Sequence, residues 1–347
     1  MTASGNIKLY QTMAGAAHGG AELFFERLTN AFAAAGIDQK VAVNPHGGRQ
    51  RRLEQNGVST SAHSYSPLAT PLTKWRLARD IRQRNSNVIL SWMNRATAMT
   101  PSIGVPHVAR LGGFYNLKYY QKCDWLVANT LDIADYLVAE GWPKDRVHCQ
   151  INFVPDGING PLFAGPAQKK MTDGPVIVAL GRLHENKAFD CLIRAFSTLN
   201  FGQLWLAGDG PEKDYLHTLS DDLGVADRVH FLGWQSDPQS VIRAADIFVC
   251  PSRHEPFGNV IAEAMACGKP IVATATNGAR QLIQDGSNGL LVPIDDDTAL
   301  ANAISSLENQ SSLAQALAKS GRETWQKTLS PTKITNEWID FLTKVAG

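Results

Sequence analysis

The strongest constraint on the fold is a rhythm. A short apolar run, a loop containing glycine and a stretch of helical period follow one another along the whole chain. In the first half the apolar runs are 7–10, 41–43, 88–91, 106–111, 125–128 and 147–153. In the second half they are 176–180, 204–207, 229–232, 247–250, 271–273 and 289–292. Helical patterns lie between and after them, among others at 132–140, 189–199, 213–223, 297–307 and 313–328. Continuous apolar runs are strands buried on both faces, and strand–loop–helix order makes neighbouring strands parallel. The fold class is therefore α/β, a doubly wound parallel sheet built twice. A length of 347 residues also exceeds what one core usually supports. Residues 160–172 are polar, rich in glycine, proline and lysine, and without period, so the linker belongs there. The expected domains are 1–165 and 166–330, with Pro331 breaking the chain before a last helix within 331–347.

Composition narrows the partners. No apolar run approaches the roughly 20 residues that span a bilayer. The first nine residues lack the basic and apolar regions of a secretory leader. Cys123, Cys149, Cys191, Cys250 and Cys267 are scattered without metal spacing and read as small buried hydrophobes of a reducing, cytoplasmic compartment. The net charge of +1 conceals an asymmetry: +6 over residues 1–165 and −5 over the rest. A basic first half suits an anionic partner or the face of an inner membrane, or is simply a solvated surface. Two segments carry the excess: a loop from Gly47 to Arg52, and a helix from Lys74 to Arg84. In that helix Trp75, Leu77, Ala78 and Ile81 are apolar, which fits a membrane-surface helix or a core-facing helix with a basic back. Nothing in the pattern points to nucleic acid.

Ligands of doubly wound sheets bind beyond the carboxyl ends of the strands, so the loops there matter most. Five stand out. Gly19-Gly20 follows the first strand and permits close backbone approach, or makes a tight turn. Gly181-Arg182 with Lys187 places two cations in one loop, which suits a diphosphate clamp or is simply a pair of exposed surface cations. Gly208-Asp209-Gly210-Pro211 is a third loop, or an ordinary turn. Gly233-Trp234 offers backbone groups to a base edge, or a core tryptophan. The fifth, Glu255 to Glu263, puts one carboxylate in a loop and another on the helix that follows, with Gly258 between them at a helix mouth suited to phosphate. Asp295-Asp296-Asp297 precedes a helix and reads as its acidic cap, not a metal site.

The stretches VALGRLHENKAFDCLIRAF, LAGDGPEK, FLGW, PSRHEPFGNVIAEAMACGKPIV and NGARQLIQDGSNGLLV resemble the C-terminal half of retaining GT-B glycosyltransferases. They are similar to the large bacterial group 1 family of lipopolysaccharide and glycolipid synthesis, marked by the E-x7-E pair. The resemblance is specific over 174–294 and looser before, where it rests on Gly19-Gly20-Ala21-Glu22 and strand order. It implies two Rossmann-like domains with a cleft between them, the first for the acceptor, the second for the nucleotide-sugar, and a final helix returning to the first. It implies retaining, metal-independent transfer of a hexose-type sugar from a UDP- or GDP-sugar to a glycan or lipid-linked acceptor, with no cofactor. Arg182, Lys187 and Glu255 would be catalytic, the cations holding the diphosphate and Glu255 the sugar hydroxyls. Gly19, Gly20, Gly181, Gly208, Gly210, Gly233, Trp234, Phe257, Gly258, Asn259 and Glu263 would bind the donor, Glu263 at the ribose. Asn94, Arg95, Tyr115, Asn116 and Lys118 are the acceptor candidates. One departure stands out: many relatives carry His-Gly at the place matching Gly112-Gly113, with that histidine beside the sugar. His107, on the strand itself, reads as a core residue. A phosphate oxygen of the leaving group fits as the proton acceptor. The rival functions are a nucleotide-sugar epimerase of the same fold and a catalytically degenerate nucleotide-sugar-binding protein.

Overall fold

A computed structural model describes residues 7–16, 19–45, 48–166 and 174–347. The chain forms two compact units: Met1–Asn152 with Pro331–Gly347, and Phe153–Ser330.

In unit 1, β1 (Lys8–Met13) leads to α1 (Gly20–Ala34), β2 (Asp38–Val43), α2 (Arg49–Gln55), β3 (Ser59–Ala62), α3 (Thr70–Gln83), β4 (Val88–Trp92), α4 (Met93–Met99), β5 (His107–Leu111), β6 (Trp125–Ala128), α5 (Leu131–Ala139) and β7 (Val147–Cys149). The order across the sheet is β3-β2-β1-β4-β5-β6-β7, and the described pairings are parallel. Strands β4 and β5 are buried at every position, so they read as largely apolar runs even with Ser91, His107 and Arg110 in them.

Unit 2 repeats the plan. It runs β8 (Val176–Leu180), α6 (Phe189–Ser197), β9 (Gln203–Ala207), α7 (Lys213–Asp222), β10 (Val229–Gly233), α8 (Pro238–Ala244), β11 (Ile247–Cys250), α9 (Asn259–Ala266), β12 (Ile271–Thr274), α10 (Asn277–Leu282), β13 (Leu290–Val292), α11 (Asp297–Asn309) and α12 (Ser311–Thr324). Its sheet order is β10-β9-β8-β11-β12-β13. One core cluster joins β8, β9 and β11 to α6, α7 and α11.

The expected two parallel, doubly wound sheets are the ones found. The chain leaves unit 1 at Asn152, earlier than the 165/166 division read from the sequence. Residues from Phe153 are tied to unit 2: the Trp325 indole donates to Val154 O at 3.0 Å, Arg243 donates to Gly157 O and Pro161 O, and Phe163 N donates to Ser240 O. The rest of the linker reading, 167–172, lies outside the described residues. After a π-turn at Trp325–Leu329, α13 (Pro331–Ala346) belongs to unit 1. There Phe341 stacks on His148 at 4.2 Å, and Gln150 donates to Glu337.

Four elements escaped the sequence reading, the short helix α10 among them. The basic loop at 47–52 is in fact α2 from Arg49 onward (Gly47 is outside the described residues), and Arg49 is buried against Glu26 at 3.0 Å. Strand β3 is a polar edge strand, and α4 begins where a loop had been expected. Helix α3 buries Thr73, Leu77 and Ile81 and turns Trp75 outward. It is a core-facing helix with a basic back.

Candidate active site

Each sheet has a switch point where strand order reverses, between β8 and β11 in unit 2 and between β1 and β4 in unit 1. The loops leaving these strands diverge and leave a crevice at the carboxyl edge. In unit 2 they are the loops carrying Gly181 to Lys187 and Pro251 to Gly258.

The first is built by close backbone packing. A Cβ on Gly208 would lie 1.8 Å from Gly181 O, and one on Gly210 would lie 2.3 Å from Leu183 O. Without those side chains the loops hydrogen-bond directly: Gly181 N to Ala207 O at 3.0 Å, Leu183 N to Asp209 O at 3.0 Å, and Gly208 N to Gly233 O at 2.8 Å. Gly208 and Gly210 therefore answer a steric demand of the protein itself. A turn at Glu185–Lys187 and a left-handed Ala188 (φ 50°) then aim Lys187 back over Gly181, whose missing Cβ would touch its Cδ at 3.4 Å. Arg182 is exposed beside it, with no partner among the described residues.

The second loop carries Glu255, whose carboxylate forms an ion pair with Lys187. Two residues that stand apart in sequence are thus joined at the switch point. Phe257 is buried and pins the loop. The amides of Phe257 and Gly258 have no hydrogen-bond partner among the described residues, and Gly258 adopts φ 86° as N-cap of α9. Asn259 opens that helix, and Glu263 is buried on its second turn. Gly278 N donates to Glu255 O at 2.9 Å, and a Cβ on Gly278 would lie 2.4 Å from that same oxygen. The arrangement offers two cations, a carboxylate and free amides to a polar, anionic ligand.

Arg253 holds this loop from behind, with both Asp190 oxygens at 2.8–2.9 Å and Asp295 at 2.6 Å. Burial pushes the Asp190 carboxyl up, but the bonds from Arg253 and Arg194 outweigh it and hold the group below the usual aspartate range. The three-aspartate run is used locally: Asp295 pairs with Arg253, Asp296 caps α11, and Asp297 faces Arg194. Cys250, behind Glu255, is pushed up to about 11 by burial and then by the Glu255 charge. Trp234 is 76% exposed, which rules out the core reading. Among the described residues no group of three His, Cys, Asp or Glu side chains is arranged to hold a metal.

In unit 1 Gly19 precedes α1 and Gly20 opens it. The Glu22 carboxylate folds back over them, accepts the Ala16 N–H at 2.9 Å, and fills the space a Cβ on Gly19 would need. Asn94 accepts the Tyr120 hydroxyl at 2.5 Å in the first turn of α4, just after Met93 at φ 66°. Arg95 is exposed. Tyr115 is half-buried against Gly113, Asn116 caps a short turn, and Lys118 lies over the Tyr119 ring at 4.9 Å. His107 is buried and bonded to Ser91 Oγ at 2.8 Å, a core residue as expected. Burial lowers its imidazole to about 4, so it is neutral. The sequence reading passed over Arg253, Asp190, Arg110 and Asn129. Arg110 carried the one available signal, a charge within an apolar strand.

Comparison with known proteins agrees with this geometry. The family model "Glycosyl transferases group 1" matches residues 165–324. The chain is 36% identical over 334 residues to the lipopolysaccharide core biosynthesis glycosyltransferase LpsE of Rhizobium meliloti, covering 93% of this chain and 96% of that protein. It is 35% identical over 327 residues to LpsD of the same organism, covering 93% and 94%. Among solved structures, Anabaena Alr3699/HepE in complex with UDP superposes with a TM-score of 0.83 at 21% identity, covering 97% of this chain and 100% of that one. WaaG, a glycosyltransferase involved in lipopolysaccharide biosynthesis, gives 0.67 at 16% identity, covering 96% and 99%. The chain belongs to the group 1 glycosyltransferases and is a glycosyltransferase with their GT-B architecture of two doubly wound units.

Proposed function

We propose that the enzyme transfers a hexose-type sugar, with retention, from a nucleotide-diphosphate sugar to a glycan or lipid-linked acceptor of lipopolysaccharide type. The observation that carries this is the meeting of Lys187 and Glu255 beside the free amides of Phe257 and Gly258 at the unit 2 switch point. In this reading Arg182, Lys187 and those amides meet the charge that develops on the departing diphosphate, work that a metal ion does elsewhere. Glu255 and Asn259 hold the sugar and Glu263 the ribose. The backbone at Gly181, Gly208, Gly210 and Gly233, with Trp234, lines the nucleotide. Gly19 and Gly20 join the donor contacts by resemblance alone. Both carboxylates position the substrate, and a leaving phosphate oxygen takes the acceptor proton. Unit 1 binds the acceptor, with Asn94, Arg95, Tyr115, Asn116 and Lys118 as contacts.

The likeness to LpsE and LpsD supports the lipopolysaccharide class, and the HepE complexes with UDP and UDP-glucose support the donor class. A thermal-shift panel of UDP-, GDP- and ADP-sugars tests the donor, since only a ligand of the folded state raises the midpoint. Proton NMR of the product reads the anomeric outcome, and transfer should survive EDTA. An inverted product sinks retention. Release of an altered nucleotide-sugar without acceptor would favour the epimerase. Binding without turnover would favour the degenerate protein.

A second observation supports peripheral contact with the cytoplasmic face of an inner membrane. Leu68 (98% exposed), Leu72 and Trp75 (58%) are exposed at and before α3 beside Arg76 and Arg79. No described helix is long and apolar enough to cross a membrane. Co-sedimentation with anionic but not neutral vesicles, lost in Trp75→Ala, is the expected result. Equal recovery with both vesicle types removes this contact from the account.

A further inference from the structure

Arg110 lies in β5, 2% exposed, directly across from Trp92 of β4. Its guanidinium lies 5.1 Å from the Phe24 ring and 5.3 Å from the Trp92 ring, and one terminal nitrogen donates to the Asn152 carboxamide at 2.6 Å. Its Nε has no hydrogen-bond partner. Among the described residues no carboxylate acts on it. Burial lowers the guanidinium to about 10, which leaves it charged at neutral pH. A buried cation with neutral partners only is costly. Buried charges are ordinarily paired.

The place of this charge matters. Arg110 is two residues before the partly exposed Gly112 at the carboxyl end of β5. A Cβ on Gly112 would lie 2.9 Å from the guanidinium Nη1. The absent side chain is what gives that nitrogen its room. On the neighbouring strand Leu111 pairs with Ala128, so the next residue, Asn129, stands beside Gly112. Asn129 is 6% exposed and its carboxamide oxygen has no partner. Tyr115 lies close by over Gly113. Two adjacent strand ends thus hold an unneutralised donor and an unused acceptor, both buried.

We propose that this edge of unit 1 binds an oxyanion carried on the acceptor saccharide, a sugar carboxylate or sugar phosphate. Arg110 holds the oxyanion, and Asn129 accepts a neighbouring sugar hydroxyl. The proposal rests on reading unit 1 as the acceptor side of a transferase. A planar guanidinium matches the paired oxygens of either group, and a charge-assisted bond of this kind is stronger than a neutral one.

The test is thermal-shift titration of the purified full chain with glucuronate, glucose 6-phosphate and glucose, at an ionic strength held constant with chloride. The expected result is a saturable rise of the midpoint with one or both acidic sugars and none with glucose. The two acidic arms separate carboxylate from phosphate. Arg110→Met should weaken the acidic response at least tenfold. Gly112→Ala should do the same with Arg110 intact, because its Cβ displaces the guanidinium; this variant carries the test if Arg110→Met does not fold. UDP should shift every variant as it shifts the wild type. An Arg110→Met or Gly112→Ala protein that responds as the wild type does overturns the proposal. So does a wild type blind to both acidic sugars, or an Arg110→Met protein that loses its UDP response, which would assign the guanidinium to the donor. Failure of UDP and UDP-glucose to shift the wild type would instead count against the transferase reading.

Discussion

The two sheets share one plan but furnish their carboxyl edges in opposite ways. In unit 2 the edge is shaped by missing side chains: Gly208, Gly210 and Gly278 each let one backbone segment lie against another. In unit 1 it is shaped by side chains, the buried Arg110, Asn129 and Glu22 and the half-buried Tyr115. Backbone contact tolerates almost no variation in residue type, so it writes a motif. Side-chain furnishing can be supplied from many positions and writes none. If unit 2 holds the donor and unit 1 the acceptor, as proposed, such a fold can change acceptors while keeping its chemistry.

The largest effect should come from the chemistry itself. Lys187→Ala and Glu255→Ala should each lower kcat at least about 100-fold, the first by removing a charge-stabilising group and the second by loosening the hold on the sugar, with the thermal midpoint little changed. Turnover at the wild-type rate in either variant would break the assignment of the unit 2 edge. Gly208→Ala comes next. Its Cβ has only a carbonyl to meet at 1.8 Å, so the backbone must move, with a loss of about 2–4 kcal/mol in urea unfolding. A stable Gly208→Ala protein would show that the glycines serve the ligand alone.

The third concerns acid. The unfolded chain protonates His107 as pH falls through 6.5, whereas the folded chain does so only near 4. Stability should therefore fall between those values and level off below, by about 3 kcal/mol from this group. His107→Gln should flatten that segment of the curve, and an unchanged curve would remove the polar interior of unit 1 as a cause. Smallest is Trp234→Ala. An exposed indole should cost within about 0.5 kcal/mol, whereas a core tryptophan costs about 3–5 kcal/mol.

The same contrast explains what could be read from residues alone. Strands β8, β9, β11 and β12 were legible because they are short, apolar and followed by glycine loops whose spacing the packing enforces. Strand β3 (Ser59–Ala62) was not, because an edge strand that is half-exposed needs no apolar pattern. Helix α2 has one apolar core residue, Leu53, and buries an arginine by pairing it, so its sequence looks like a charged loop. The Lys187 and Glu255 loops could each be named in advance. Their ion pair could not, because it depends on which strands meet at the switch point. Arg110 and Asn129 had no spacing to reveal them. Their significance lies in partners they lack, a property of the packed interior alone.

The bonds from Gly181 N, Leu183 N and Gly208 N to the neighbouring loops continue the ladder of the unit 2 sheet beyond the ends of its strands. Binding loops usually belong to the least protected part of a protein and open independently of its core. Here the rim cannot open without breaking bonds in register with the sheet, so its amides should exchange with solvent as slowly as strand amides do. A nucleotide would then meet a surface whose shape is already set, and discrimination among bases would rest on fit to a rigid rim rather than on the rearrangement of a pliable one.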